Sequence, residues 1–183
     1  MLNRTIALLA VSIMLAACSA APTAQSGNTV QTAPASAEES KTGLESLVLY
    51  DLKGRPIDLE QLVGGKVLAI SFWATFCKPC KSEMPFLQKM VEKYGADGFE
   101  VLAISLDTPD TEASVRPFIQ KNNYTFKVTI DRQSEATQLL NTKSVLPFLV
   151  IFNRQGDIVK QKDGFTVGDQ PDLEKLIQEL VAK

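Results

Sequence analysis

Residues 66–85 read KVLAISFWATFCKPCKSEMP, and this stretch decides the fold. Its opening, residues 66–73, is a bounded apolar run of strand length, the profile of a central strand buried on both faces. Two cysteines three residues apart, Cys77 and Cys80, open the next segment. A helix is predicted there from about 78 to 94, and Pro79 suits its first turn, where a missing N–H is not needed.

A helix N-terminus carries unpaired N–H groups and about +0.5 charge, so a thiol at Cys77 is stabilised as the reactive thiolate. Cys77 is therefore read as the nucleophile. Cys80 lies one turn later, near enough for a disulfide to open and close with little backbone movement, and Lys78 adds a modest positive charge beside the thiolate. On a wheel of about 100° per residue, Cys80, Met84, Leu87, Val91 and Tyr94 share one face, flanked by Met90 and Phe86. Cys80 thus points inward, as a resolving cysteine should, while Lys81, Ser82, Lys89, Glu92 and Lys93 take the opposite side. Glu83 falls inside the apolar sector beside Cys80. A carboxyl there is partly desolvated, with a pKa pushed toward the range useful for proton transfer with the buried thiol. The alternative is that Glu83, in the first turn, bends out to solvent and complements the helix dipole.

The pair has other readings. A zinc site needs about four ligands, and beyond Cys77 and Cys80 the chain has only Cys18 and no histidine. A static disulfide closing so short a loop constrains little of the unfolded chain. A vestigial pair on a non-catalytic binding lipoprotein is the remaining alternative.

Working outward, strands are predicted at 47–52, 99–105, 126–130, 148–152 and 158–163, and helices at 58–63, 111–121, 134–141 and 172–182, with turns at 54–56 and 153–156. Strands alternating with helices argue for βαβ units and a mostly parallel α/β sheet, with antiparallel pairing in the closing hairpin. Pro85 should kink its helix. Pro147 immediately precedes the strand at 148; a cis Leu146–Pro147 bond near Cys77 would leave neighbouring backbone free to pair with a substrate peptide, whereas a trans proline would simply start an edge strand.

Upstream, residues 5–37 contain no charge. Residues 5–17 (TIALLAVSIMLAA) follow Asn3 and Arg4 as an apolar run of signal-peptide length, too short to span a bilayer at about 20 residues. The run ends on Leu15-Ala16-Ala17-Cys18, which resembles the lipobox of bacterial lipoproteins, with cleavage before Cys18 and lipid on its sulfur. A plain secretory signal and an uncleaved short anchor are the alternatives. Ser19 resembles the outer-membrane sorting pattern of Gram-negative lipoproteins. Residues 18–43 are read as the lipidated cysteine and a disordered tether, because 19–41 are Ala/Ser/Thr/Pro/Gln-rich and cannot bury enough apolar surface to offset ordering entropy. This leaves 1–17 as signal and 44–183 as the folded domain.

Composition narrows the chemistry. The 183 residues carry 19 Lys+Arg against 21 Asp+Glu, no basic stripe for nucleic acid, and no histidine. The missing histidine removes Ser-His-Asp and Cys-His nucleophiles, imidazole metal ligands and a His general base.

Residues 71–85 (SFWATFCKPCKSEMP) resemble the active-site segment of the TlpA/ResA-type branch of the thioredoxin superfamily, membrane-tethered thiol-disulfide oxidoreductases outside the cytoplasm. The likeness runs over about 44–183 and includes 101–107, the Asp131 segment and 144–156. It implies a thioredoxin-like fold, attack by Cys77, resolution by Cys80, tuning by Glu83 and a cis Pro147, with Phe76, Lys78, Pro79, Leu146 and Pro147 bordering the substrate groove. Phe76 replaces the usual Trp before the first cysteine, and Leu146 the common Thr before the proline. Ser71 stands where cytoplasmic thioredoxins keep a buried Asp, consistent with Glu83 serving instead. The resemblance favours a disulfide reductase for apocytochrome c or other envelope proteins, with an unidentified thiol electron donor and no cofactor or metal. A thiol peroxidase is disfavoured because the Pro-x-x-x-Thr-x-x-Cys environment is missing around Cys77, and copper carriage because no histidine exists.

Overall fold

The computed structural model describes residues 43–183. The signal-like run, Cys18 and the segment 19–41 lie outside the described residues. A five-stranded sheet forms the centre, in the order β5-β4-β3-β6-β7, from β3 (Val67–Trp73), β4 (Phe99–Ser105), β5 (Lys127–Ile130), β6 (Phe148–Phe152) and β7 (Ile158–Asp163). Every residue of β3 is buried, as an apolar run without alternation requires of a central strand. It pairs in parallel with β4 from Val67↔Phe99 to Trp73↔Ser105, and antiparallel with β6 from Leu68↔Phe152 to Phe72↔Phe148.

Side chains alternate across the sheet, so β3 feeds two cores. Val67, Ala69 and Trp73 pack with α2 (Lys78–Tyr94), α3 (Val115–Lys121) and α5 (Gln170–Val181), while Leu68, Ile70 and Phe72 pack with α1 (Leu59–Val63) and α4 (Glu135–Leu140) on the other face. The chain makes two parallel steps, β3-α2-β4 and β4-α3-β5. It then crosses by α4 to the far side of β3 and closes with the β6–β7 hairpin. β6 alone runs against the other four strands, so the antiparallel pairing expected in the hairpin also joins β6 to β3. Among the described residues, no helix is long and apolar enough to cross a membrane.

Local chemistry revises four predicted elements. The strand expected at 47–52 shrinks to β1 (Leu49–Tyr50), paired with an unpredicted β2 (Pro56–Ile57). Asp51 ends it, because its carboxylate accepts the Lys53 and Arg55 backbone N–H groups at 2.8 and 2.9 Å and folds the chain into a turn. The turn predicted at 54–56 therefore begins earlier, and Pro56 belongs to a strand. The helix predicted at 111–121 splits into a 3-10 turn (Glu112–Ser114) and α3, since Pro117 lacks the N–H that would continue the ladder back to Ala113. The closing helix starts two residues earlier than predicted, with Pro171 in its first turn. α2 runs continuously from Lys78 to Tyr94 through Pro85.

At the pole opposite Cys77, Arg154 gathers three separated segments. Its guanidinium donates to the backbone carbonyls of Gly65 (3.0 Å), Asp97 (2.7 Å) and Val181 (2.9 Å), tying the entries of β3 and β4 to the end of α5. Bonds from a charged donor to carbonyls with no other partner in their helix or turn are among the stronger ones. Arg154→Ala is expected to lower stability by about 2 kcal/mol in urea unfolding, with Cys77 reactivity retained; a loss below about 0.5 kcal/mol would show that the three contacts hold nothing.

Candidate active site

The buried end of β3 fixes where the cysteines stand. After Trp73 the chain turns through 74–76, with the Cys77 N–H donating to the Ala74 carbonyl at 3.1 Å, and enters α2 with Cys77 as the N-cap. Cys77 has extended backbone angles (φ −81°, ψ 107°), and its Sγ accepts the Cys80 N–H at 3.2 Å. The sulfur thus occupies the position of a capping oxygen, at the positive end of a 17-residue helix. Cys77 and Cys80 are joined as a disulfide, with Cα atoms 5.3 Å apart. The two sulfurs are not equivalent to a reagent from solvent: Cys77 is 9% exposed and Cys80 is 0% exposed.

Glu83 lies one turn beyond Cys80 and is 1% exposed, so it does not bend out to solvent. Ser71 and Glu83 are brought together because Ser71 lies on the same face of β3 as Val67, Ala69 and Trp73, the face that α2 covers. The Ser71 hydroxyl donates to Glu83 Oε2 at 2.6 Å, while Oε1 is buried with no hydrogen-bond partner among the described residues. Burial pushes the Glu83 carboxyl up from an ordinary 4.5 to about 7; the Ser71 hydroxyl and the more distant Lys162 charge pull the other way. A group with that affinity is poised to hold or release a proton near neutral pH.

The loop before Cys77 is held by a residue the sequence did not single out. Asp107, buried just past β4, accepts the Thr75 N–H at 2.9 Å, the Thr75 hydroxyl, and the Ser105 hydroxyl at 2.8 Å. Ser-x-Asp at a strand end was its only local signal. On the other flank, Leu146–Pro147 is cis, as the resemblance implies, and the Pro147 carbonyl accepts the Gly164 N–H at 2.8 Å. Because Phe148 pairs with Phe72, Pro147 comes to the same end of the sheet as the β3–α2 turn. Lys78 and Pro79 are exposed, Leu146 is half-buried against both cores, and Phe76 stands 63% exposed immediately before the nucleophile position. Cys18 lies outside the described residues.

Known proteins resemble this chain in sequence and fold. The Redoxin family profile matches residues 20–177. The thiol-disulfide oxidoreductase ResA of Bacillus cereus is 34% identical over 147 residues, covering 78% of this chain and 80% of that protein. ResA of Halalkalibacterium halodurans is 33% identical, covering 65% of each. Among solved structures, a Chlorobium tepidum protein assigned as thiol:disulfide interchange protein DsbE superposes with a TM-score of 0.67 at 27% identity, over 74% of this chain and 92% of that one. An uncharacterized thioredoxin-like protein of Porphyromonas gingivalis gives 0.64 at 29% identity, over 77% and 93%.

The raised pKa of Glu83 has a definite sign in stability. The fold favours the protonated carboxyl, so this contribution is fully present below about pH 4.5 and is lost as pH rises through about 7. The loss amounts to about 3 kcal/mol. In urea unfolding of the oxidised protein across that window, Glu83→Gln should become steadily more stable relative to the parent as pH rises. A difference that stays flat with pH would show that the carboxyl is not desolvated.

Proposed function

The chain belongs to the redoxin family and is a thiol-disulfide oxidoreductase; from that premise we propose that it works as a disulfide reductase on proteins outside the cytoplasm. The observation that carries the reading is the asymmetry of the couple, one sulfur capping a helix at the surface and the other sealed beneath it beside a buried carboxyl. In the dithiol form, the Cys77 thiolate attacks a client disulfide. One client sulfur leaves as a thiolate and takes up a proton, and the other is bonded to Cys77. Glu83, as carboxylate, accepts the proton of Cys80, and the resulting thiolate attacks the Cys77 sulfur. The second client thiolate departs, the Cys77–Cys80 disulfide forms, and a thiol donor later returns the pair to the dithiol.

The direction and the clients follow from the likeness to the TlpA/ResA branch, which favours reduction of apocytochrome c or other envelope proteins. Phe76, Lys78, Pro79, Leu146 and Pro147 would border the client, with Phe76 supplying an apolar contact in place of the family's usual Trp. The N-terminal segment fits the same setting: cleavage before Cys18 and lipidation of its sulfur would hold the domain at a membrane surface on the tether 19–41, with Ser19 compatible with the outer membrane of a Gram-negative cell.

Two measurements test this. Cys80→Ser should accumulate mixed disulfides with clients on non-reducing gels, whereas Cys77→Ser should trap none; a Cys80→Ser protein that traps nothing while Cys77 remains reactive would contradict the mechanism. The reduction potential of the couple should lie near that of a thioredoxin reductant, about −270 mV, and a value near about −120 mV would reverse the proposed direction.

A further inference from the structure

The closing hairpin brings a charge toward the buried side of the dithiol site that the mechanism above does not use. Cross-strand neighbours in a sheet share a face. Ser71 pairs with Leu149, and Leu149 with Lys162, so β3, β6 and β7 set these three side chains in one row on the face that α2 covers. Two strand spacings of about 4.8 Å separate the Ser71 and Lys162 backbones. Within β7, Lys162 alone is half-buried; the other residues, including Lys160 two places back on the same face, are exposed.

The Lys162 ammonium is held in place. Its Nζ lies 3.1 Å from Asp169 Oδ2, with the two side chains 23% and 26% exposed. The same oxygen accepts the Thr166 N–H at 2.7 Å and the Thr166 hydroxyl at 2.9 Å, capping the 3-10 turn Val167–Asp169, so the carboxylate is fixed independently of Lys162. Phe165 packs on Phe86 of α2 with ring centroids 5.9 Å apart, which seats the segment carrying Asp169 on the helix that carries Glu83.

The other elements around Glu83 have their charges engaged elsewhere. β3 presents the Ser71 hydroxyl and β6 presents Leu149, while on α2 itself Cys80 is disulfide-bonded and Tyr94 is buried. β4 leads to Asp107, whose oxygens are taken by Thr75 and Ser105. On α5, Glu174 is paired with Lys93 at 2.6 Å, and Asp172, Lys175 and Glu179 are exposed. On α3, Arg116 donates to the Leu52 carbonyl and Lys121 is exposed. The charge that acts on the carboxyl is that of Lys162, and it favours the ionised form against the burial that disfavours it.

We propose that Lys162 is a positioning residue of the reaction: held by Asp169 at the end of the Ser71–Leu149–Lys162 row, its ammonium supports the Glu83 carboxylate when Glu83 must be charged to take the Cys80 proton. Asp169 shares that ammonium and so limits the support. The inference rests on the oxidoreductase reading above and adds to it a control of charge located outside α2.

The first readout is the Glu83 carboxyl midpoint, followed by carbon-detected NMR in the oxidised protein, where no turnover is needed. A unit charge two strands away at a partly exposed site moves a pKa by about 0.5. Lys162→Met should therefore raise the midpoint by about 0.5, and Lys162→Gln should repeat that shift, which separates charge from packing. Lys162→Arg keeps the charge and should leave the midpoint within about 0.2 of the parent. Asp169→Asn keeps a capping oxygen but releases the ammonium, and should lower the midpoint.

The second readout is the decay of the Cys77-linked mixed disulfide with a disulfide-bonded peptide, followed by quenched flow on the dithiol protein. Only ionised Glu83 takes the Cys80 proton, so Lys162→Met should slow this step about threefold at pH 6 and leave it nearly unchanged at pH 9. A salt bridge with only a structural role would alter the rate equally at both. A midpoint in Lys162→Met within about 0.1 of the parent, an equal shift in Lys162→Arg, or a rise in Asp169→Asn would each overturn the proposal. Should the parent fail to reduce the peptide, the reductase reading falls, while the NMR midpoints still decide whether Lys162 sets the charge of Glu83.

Discussion

The site depends on one contact between sheet and helix, the Ser71 hydroxyl bound to the Glu83 carboxyl at 2.6 Å beneath the Cys77–Cys80 disulfide. It forms because β3 is buried on both faces, so even its one polar residue must find a partner inside, and because the Cys80 stripe of α2 lies directly on that face. A carboxyl carried one turn past the buried cysteine is thereby sealed, among the described residues, with a single hydrogen bond to one oxygen and none to the other. Burial of this kind disfavours the charged form, and the neutral-range proton affinity of Glu83 follows from it.

The same strand sets the reactive asymmetry. β3 delivers the chain to the N-terminus of α2, where Cys77 replaces an oxygen cap with sulfur and faces solvent slightly, while the helical repeat carries Cys80 inward. Around this axis the remaining contacts act as guy-ropes. Asp107 holds the loop before Cys77, Asn141 holds the loop before Pro147, and Arg154 ties the opposite pole. The chemistry is concentrated on one helix turn, and the fold's work is to hold two loops against it.

Much of this was legible in the chain. The run at 66–73 read as a central strand, the cysteine spacing read as a helix-opening pair, and the wheel placed Cys80 and Glu83 on the inner face, because periodicity within one helix is a local property of sequence. The partners were less legible. Ser71 is separated from Glu83 by 12 residues, Thr75 from Asp107 by 32, and Gly65 from Arg154 by 89, and a contact across such distances leaves no periodic trace. The β1–β2 hairpin was missed for a different reason: Asp51 satisfies two backbone N–H groups with its own carboxylate and stops a strand that the apolar pattern alone would continue. The pattern places Asn141 as the last residue of a helix, whereas α4 ends at Leu140 and Asn141 caps it, and nothing local signals that its side chain would pair with the backbone of Val145.

The central claim is that a carboxyl sealed beneath the couple holds its proton near neutrality. Carbon-detected NMR of the Glu83 side-chain carboxyl through a pH titration of the oxidised protein tests it directly. The structure predicts a midpoint at about 7; a midpoint at the ordinary 4.5 would mean that Glu83 is solvated and that Cys80 is deprotonated by some other route.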